Sequence, residues 1–233
     1  MDDSITLPSI LTIGLVHPST MIVAGPTGCG KTVFVRRLIE HKMFWPDNGQ
    51  GLQRILWFSG TALPVETVDK LQKQTNGKFE FHKGFDHDVA INGLDAKENN
   101  LIVLDDLMSE IKDSAHLADL FTKWSHHSNT SVVYLVQNLY EKGKSSVTAA
   151  KNAQYTVLFK NPRSVGDVRT LAQQLFPAGH ANDFIQLVQH ATQEPYTYLL
   201  IDCHPQTPDV FKFRTNIFPG EETTLFSLKG IKS

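Results

Sequence analysis

Cysteine is scarce in this sequence, which has only Cys29 and Cys203 among its 233 residues. The two form no C-x-x-C pair and no zinc-binding spacing, so neither a zinc site nor a disulfide framework is expected. Cys29 also lies inside a glycine-rich loop that a disulfide would obstruct. The economical interpretation is a reducing, intracellular setting.

The sequence also has no excess of basic residues and no long hydrophobic run. Its 22 lysines and arginines are balanced by 24 aspartates and glutamates, and the net charge is −2. Any contact with nucleic acid would therefore depend on local patches rather than on a cationic surface. No apolar run reaches the roughly 18 residues of a membrane-spanning helix. The N-terminus opens with the acidic Met1-Asp2-Asp3, so we expect no membrane span and no export signal.

Internal repeats and low-complexity segments are absent as well. Apolar residues make up 41% of the chain and charged residues 20%, which are ordinary values for a globular protein. The length accommodates one large α/β domain but not two comfortable ones. We therefore expect a single domain over residues 1–220, followed by a polar C-terminal tail over residues 221–233.

A glycine-rich loop is the most informative stretch of the chain. Residues 25–32 read Gly-Pro-Thr-Gly-Cys-Gly-Lys-Thr and fit the pattern G-x-x-x-x-G-K-[ST] at every fixed position. Residues 21–24 have the pattern of a short buried strand, and residues 33–39 have apolar side chains at helical spacing. In a strand–loop–helix unit the backbone N–H groups converge on a phosphate chain, helped by the helix dipole. The sequence therefore predicts a nucleoside triphosphate site rather than a chance glycine turn.

The loop residues have separate expected roles. Gly25, Gly28 and Gly30 permit positive φ angles and a close approach of the main chain to phosphate oxygens. Lys31 would reach the β- and γ-phosphates, and the Thr32 hydroxyl would coordinate Mg²⁺. The expected cofactors are ATP and Mg²⁺, and the expected nucleotide-binding residues are Gly25, Pro26, Thr27, Gly28, Cys29, Gly30, Lys31, Thr32 and Val33.

Two carboxylates follow a second apolar run, Leu101 to Leu104. Asp105 and Asp106 would emerge at the C-terminal edge of a central parallel strand, where ligands bind in open α/β sheets. Asp105 would hold Mg²⁺, directly or through water, and Asp106 would act as a general base on the attacking water. The alternative is a strand that ends in an ordinary acidic turn.

A third buried run, residues 131–136, ends in Gln137 and Asn138. The Gln137 amide would face the same sheet edge as Asp105 and orient a water molecule against the γ-phosphate. The alternative is an amide that satisfies the backbone of its own loop.

The stretch that follows, residues 140–152, is locally basic and rich in small residues. Lys142, Lys144 and Lys151 are its candidate contacts to a DNA phosphate backbone. The alternative is a solvated loop, which is what such runs usually form.

The order of these motifs separates two classes of protein. The chain order is glycine loop, second strand, acidic strand and glutamine strand, all in one sheet. This order implies an additional strand between the loop strand and the acidic strand, as in ATPases that activate water. Nucleotide kinases usually place those two strands side by side under an arginine-rich lid, and this sequence has no arginine cluster that could form one. We therefore expect a three-layer α/β P-loop NTPase fold of RecA-like, additional-strand type with a mostly parallel central sheet. A small-molecule kinase and a nucleotide-gated interaction protein remain as alternatives.

Arginine is a further requirement, because an ATPase of this kind usually receives one in trans from a neighbouring subunit to neutralise the transition state. Arg163, held by Pro162 just past a strand end, is the first candidate, with Arg169 and Arg54 behind it. The alternative for each is a surface salt bridge.

Together these motifs resemble a known family. His17-Pro18 shortly before the glycine loop, the run from Leu101 to Asp106, and Val136-Gln137-Asn138 are similar to the genome-packaging ATPases of double-stranded DNA viruses and virus-like transposons. These ATPases belong to the FtsK/HerA-type branch of P-loop ATPases. Residues 158–163 (Leu-Phe-Lys-Asn-Pro-Arg) and 198–202 (Tyr-Leu-Leu-Ile-Asp) resemble the versions in adintoviruses and Polinton/Maverick elements. The likeness spans residues 15–220, and its more discriminating parts are the Gln-Asn strand end and the Asn-Pro-Arg segment.

The resemblance implies a homo-oligomeric ring that threads double-stranded DNA into a preformed capsid, with capsid portal or vertex proteins as partners. It also implies a location in the host nucleus or at the virus assembly site, or in the virion. Many relatives carry Asp-Glu where this chain has Asp105-Asp106, so the second carboxylate here is shorter by a methylene group.

Overall fold

The protein is described from a computed structural model, which covers residues 4–8, 13–46, 49–75, 78–111, 114–125, 128–140, 143–176 and 179–228. The strands within these ranges are β1 (Ile5–Thr6), β2 (Leu15–His17), β3 (Thr20–Ala24), β4 (Phe44–Pro46), β5 (Arg54–Ser59), β6 (Phe79–Lys83), β7 (Asn100–Asp105), β8 (Thr130–Val136), β9 (Tyr155–Phe159), β10 (Tyr198–Asp202), β11 (Phe213–Thr215) and β12 (Thr224–Phe226). The α-helices are α1 (Lys31–Glu40), α2 (Val65–Gln74), α3 (His87–Asn92), α4 (Met108–Ile111), α5 (Ala115–Asp119), α6 (Lys144–Asn152), α7 (Val165–Leu175) and α8 (Ala181–Ala191). A π-helical turn, Leu120–Trp124, continues α5, and a 3₁₀ turn, Asp209–Phe211, precedes β11.

The described strands form a ten-stranded sheet in the order β1-β12-β11-β10-β9-β3-β8-β7-β5-β6 and a small parallel pair, β2 and β4. Strands β9, β3, β8, β7, β5 and β6 run parallel to one another. The remaining four strands continue the sheet beyond β9 in antiparallel pairs. The parallel strands therefore form the half of the sheet that contains the glycine loop and the acidic strand.

Continuous apolar runs make the central strands, because helices cover both faces of the sheet. Alternate residues of one strand enter different clusters. Ile22 packs with α6, α7 and α8 on one face, whereas Met21 packs with α1 and α2 on the other. Ile102 and Leu101 divide in the same way along β7. The result is helices, sheet and helices in three layers, as expected from the sequence.

Strand β8 lies between the loop strand β3 and the acidic strand β7. Ala24, at the end of β3, is the register partner of Val136, and Leu104 is the partner of Tyr134. The C-terminal ends of the three strands consequently meet at one sheet edge. This confirms the additional strand that the order of motifs predicts.

Two expectations need correction. The polar tail predicted from residue 221 is wrong for residues 221–228, because β12 pairs with β11 and β1 and buries Leu225 and Phe226. The loop alternative for residues 140–152 is also wrong from residue 144 onward. Those residues form α6, whose small side chains at Ser146 and Ala149 pack closely against its neighbours.

Candidate functional site

The glycine loop connects β3 to α1 in a conformation that needs its glycines. Gly28 has φ +80° and Gly30 has φ +109°, in the left-handed region that residues with a Cβ rarely adopt. A Cβ on Gly25 would lie 2.6 Å from Cys29 Sγ and 2.7 Å from Phe159 Cβ. The loop is therefore closely packed against the end of β9 as well as tightly turned.

The loop and the first turn of α1 line a cavity of about 460 Å³. The amide of Phe34 donates to the Gly30 carbonyl at 2.8 Å, so the amides that precede it in the first turn have no partner within the helix. Thr27, Gly28, Gly30, Lys31, Thr32 and Val33 contribute to the cavity wall. Unpaired amides at a helix N-terminus suit an anion, and the nearby ammonium of Lys31 adds positive charge.

Lys31 folds back over the mouth of the loop. Its Nζ donates to the Gly25 carbonyl at 2.6 Å and to the Pro26 carbonyl at 3.1 Å. A phosphate entering the loop would compete with these two carbonyls for the ammonium. The side chain is thus already close to the place where a phosphate chain would lie.

Thr32 and Asp105 lie together at the base of the cavity. The Thr32 hydroxyl donates to Asp105 Oδ2 at 3.1 Å, and Asp105 is 8% exposed. Burial raises the pKa of Asp105, opposed by the Thr32 hydrogen bond and the charge of Lys31, while Asp106 raises it further. A hydroxyl and a carboxylate are hard oxygen donors, so this pair fits the ligand preference of Mg²⁺, with phosphate and water as remaining ligands.

Asp106 follows in an unusual backbone conformation. Its φ is +51°, and a Cβ on Gly60 would lie 2.2 Å from its carbonyl oxygen. The contact with Gly60, at the end of β5, leaves no room for a larger residue. Asp106 is exposed, and it borders the cavity together with Asp105 and Thr61. Gly60 and Thr61 have no motif signal in the sequence, because the contact depends on strand β5 lying beside β7.

Gln137 borders the same cavity from the end of β8. It is exposed, and its side chain makes no hydrogen bond to any residue that the structure describes. The predicted alternative, an amide occupied by its own loop, is therefore not observed among these residues. The structure brings Asp105, Asp106 and Gln137 to the same cavity as the glycine loop.

One end of the cavity, beside Gly30, is aromatic, and no motif in the sequence predicts it. Its lining includes Phe34, Phe159, Tyr196, Tyr198, Phe218 and Arg37. The Arg37 guanidinium lies 3.9 Å from the centre of the Phe218 ring and binds Glu221 at 2.6 Å. Strand β10 begins at Tyr198, and Tyr196 lies just before it in a turn, 73% exposed and with φ +65°. Aromatic faces beside a phosphate loop suit the base of a nucleotide.

The candidate trans arginine lies outside this cavity. Arg163 is exposed in the turn that follows β9, and it forms no ion pair with a described residue. Arg54 binds Glu80 at 2.7 Å, which matches its salt-bridge alternative. Arg169 is exposed on α7. Among the described arginines only Arg37 borders the cavity.

Two of the three candidate DNA-contacting lysines lie on α6. Lys144 and Lys151 are exposed and two helical turns apart, so they project from the same side of the helix. Lys142 lies outside the described residues. Those described residues contain no cluster of three or more histidine, cysteine, aspartate or glutamate side chains suited to a metal, and no helix long and apolar enough to cross a membrane.

Known structures share this fold. The genome-packaging NTPase B204 of Sulfolobus turreted icosahedral virus 2, in complex with sulfate, matches with a TM-score of 0.50 at 13% identity, over 82% of this chain and 94% of that one. B204 of Sulfolobus turreted icosahedral virus, a DNA-packaging ATPase, matches with a TM-score of 0.52 at 12% identity, over 82% and 95%. The fold is that of a P-loop NTPase. No protein-family model matches the sequence, and neither does any curated protein.

Proposed function

We propose that this protein is an ATP-hydrolysing motor that translocates double-stranded DNA and packages it into a viral capsid. The observation that carries the proposal is the position of β8, which brings Gln137 to the cavity wall beside Asp105 and Asp106. Three polar groups facing a phosphate loop are suited to binding Mg²⁺ and to activating water. A protein that only binds ATP does not need such a set.

The roles follow from chemistry and position. The loop amides and Lys31 would bind the phosphate chain of ATP, and Thr32 with Asp105 would hold Mg²⁺. When bound, Mg²⁺ neutralises charge on the β- and γ-phosphate oxygens. Asp106 would accept a proton from the attacking water, and the Gln137 amide would orient that water. Aspartate is one methylene group shorter than the glutamate that many packaging ATPases carry at the position of Asp106. Asp106 would therefore reach the attacking water only if Gln137 holds that water close.

Assembly into a homo-oligomeric ring completes the proposed mechanism. Arg163 is exposed, bears no ion pair with the described residues and does not line its own cavity, as expected of an arginine offered to a neighbouring subunit. Lys31 and Mg²⁺ would need a further positive charge at the transition state, because Arg37 at this cavity is already paired with Glu221. We propose Arg163 as that trans group.

The proposal of DNA and capsid as partners is based on the likeness to the packaging NTPases and not on the geometry of the cavity. The net charge of the chain is −2, so we propose local contact through Lys142, Lys144 and Lys151. We further propose capsid portal or vertex proteins as partners and an adintovirus or a Polinton/Maverick-like element as the origin. The protein would act in the host nucleus or at the virus assembly site, or it would be retained in the virion.

The proposal is tested by ATP hydrolysis with and without double-stranded DNA. We expect Mg²⁺-dependent turnover that rises with DNA and is lost in Lys31→Ala. Lys73→Ala removes an exposed lysine on α2 and should hydrolyse ATP normally. Turnover that DNA does not change would contradict the motor.

A nucleoside or nucleotide kinase is the alternative. Such enzymes cover the acceptor with arginines, but Arg37 at this cavity is already engaged by Glu221 and Phe218. Incubation with γ-labelled ATP and a panel of nucleosides and nucleotides separates the two. Label recovered on an acceptor, without stimulation by DNA, would overturn the proposed function in favour of the kinase.

A further inference from the structure

A bridge of polar side chains joins the end of β8 to the turn after β9. Asn161 Nδ2 donates to the Gln137 carbonyl at 3.2 Å and to Ser164 Oγ at 2.9 Å, and it lies 3.3 Å from Asn138 Oδ1. The Ser164 hydroxyl donates to Asn138 Oδ1 at 2.6 Å. We call Asn138, Asn161 and Ser164 the amide bridge.

The other end of the Asn161 side chain holds the turn that carries Arg163. Asn161 Oδ1 accepts from the Arg163 amide at 3.2 Å, and the Asn161 carbonyl accepts from the Ser164 amide at 3.1 Å. A carboxamide is planar and rigid, so its donor and acceptor ends move together. One side chain therefore connects the main chain of Gln137 to the main chain of Arg163.

The amide bridge lies between two cavities. Gln137 and Phe159 line both the cavity beside the glycine loop and a second cavity of about 380 Å³. All three bridge residues line the second cavity, whose apolar wall comes from α7 and α8. Space on the side away from the nucleotide site allows the turn to shift without displacing packed side chains.

From this geometry we infer that Asn161 is a positioning residue that couples Gln137, at the subunit's own ATP site, to Arg163, which faces the neighbouring subunit. The inference rests on the proposed function. A displacement of Gln137 when the γ-phosphate is bound or lost is transmitted through the Asn161 carboxamide to the Arg163 turn. The nucleotide state of one subunit thereby sets the position of the arginine offered to the next.

The test is amide hydrogen exchange of the full chain with and without ATPγS and Mg²⁺. Asn161→Asp keeps the acceptor for the Arg163 amide but places an oxygen against the Gln137 carbonyl and Asn138 Oδ1. Asn152→Asp is the matched control, because the exposed Asn152 Nδ2 donates to a carbonyl of its own helix α6, that of Thr148, at 2.8 Å. Asn161→Ala serves as a second variant should the aspartate destabilise the turn.

In the unaltered protein we expect ATPγS to slow exchange at residues 25–33 and to change exchange at residues 161–165. Asn161→Asp and Asn161→Ala should keep the first effect and lose the second, with kcat lowered up to about 100-fold and KM for ATP unchanged. Asn152→Asp should behave as the unaltered protein.

A change at 161–165 that persists in both Asn161 variants overturns the inference. Slowing at 25–33 without any change at 161–165 in the unaltered protein overturns it too, while nucleotide binding stands. No slowing at 25–33 would remove the proposed function itself.

Discussion

The hydroxyl of Thr32 and the carboxylate of Asp105 lie 3.1 Å apart across a sequence separation of 73 residues. Thr32 lies in the first turn of α1 and Asp105 ends β7, and β8 between β3 and β7 sets the distance. This contact joins the phosphate loop to the acidic strand in the form that a bound Mg²⁺ would need. The first prediction concerns it directly.

Asp105→Asn should stabilise the protein while abolishing ATP hydrolysis. Burial raises the pKa of Asp105 in the folded protein above its ordinary value of 3.8. The ionised side chain therefore destabilises the fold fully once the pH exceeds both the ordinary pKa and the raised pKa of the folded protein. Asparagine keeps an acceptor for the Thr32 hydroxyl without the charge. We expect a higher Tm at pH 7 without Mg²⁺, and a difference that disappears as the pH falls below 3.8. Asp69→Asn, at an exposed position on α2, is the control, and an equal gain from it would argue against burial as the cause.

Gln137→Ala should lower kcat and leave nucleotide affinity intact. The side chain would act only on the attacking water, and loss of one oriented donor costs about 10²–10³ in kcat at comparable sites. Single-turnover hydrolysis together with ATPγS titration separates the two quantities. Gln173→Ala, exposed on α7, should change neither. Weaker ATPγS binding with normal turnover would contradict the role given to Gln137.

Arg163→Ala should abolish turnover in an assembly of identical subunits but not when subunits are mixed. Subunits of Arg163→Ala have intact ATP sites, and those of Lys31→Ala have intact arginines. If Arg163 acts in trans, mixing two inactive variants should restore part of the hydrolysis rate. Arg169→Ala should retain full activity. No recovery on mixing, in a mixture shown to co-assemble, would contradict action in trans.

Tyr196→Ala should weaken binding of ATP but not of tripolyphosphate. The exposed ring at the aromatic end of the cavity is placed to stack on a base, a contact worth about 1–3 kcal/mol. That corresponds to a roughly 5- to 150-fold rise in Kd, because about 1.4 kcal/mol is tenfold. Tyr196→Phe should bind as the unaltered protein does. Equal losses for both ligands would place the effect in the loop rather than at the base.

Asp202→Ala should be strongly destabilising because it removes one half of a buried ion pair. Arg214 Nη2 donates to Asp202 Oδ2 at 2.6 Å, and neither side chain is more than 2% exposed. An unpaired buried guanidinium costs about 3–5 kcal/mol, which denaturant unfolding measures readily. The double variant Asp202→Leu with Arg214→Met should lose less than the single one. Glu80→Ala breaks a surface pair with Arg54 and should cost no more than about 1 kcal/mol.

Local sequence patterns predicted much of the fold. Buried runs such as Leu101–Leu104 and the helix after the glycine loop are periodic over short distances, so they could be predicted without tertiary information. The tail from residue 221 could not. Its strand β12 contains only Leu225 and Phe226 as buried apolar side chains, and it is held by pairing with β11 and β1 rather than by any propensity of its own.

By itself, the sequence determined the phosphate loop, the acidic strand end and the additional strand, because each is written in a run of neighbouring residues or in the order of such runs. Only the tertiary structure decided what surrounds them. Arg37, Tyr196 and Phe218 meet at one end of the cavity, and Asn138 meets Asn161, through strand pairing across long stretches of chain. Contacts between distant residues depend on the packing of the whole sheet, and a local sequence pattern holds no information about that packing.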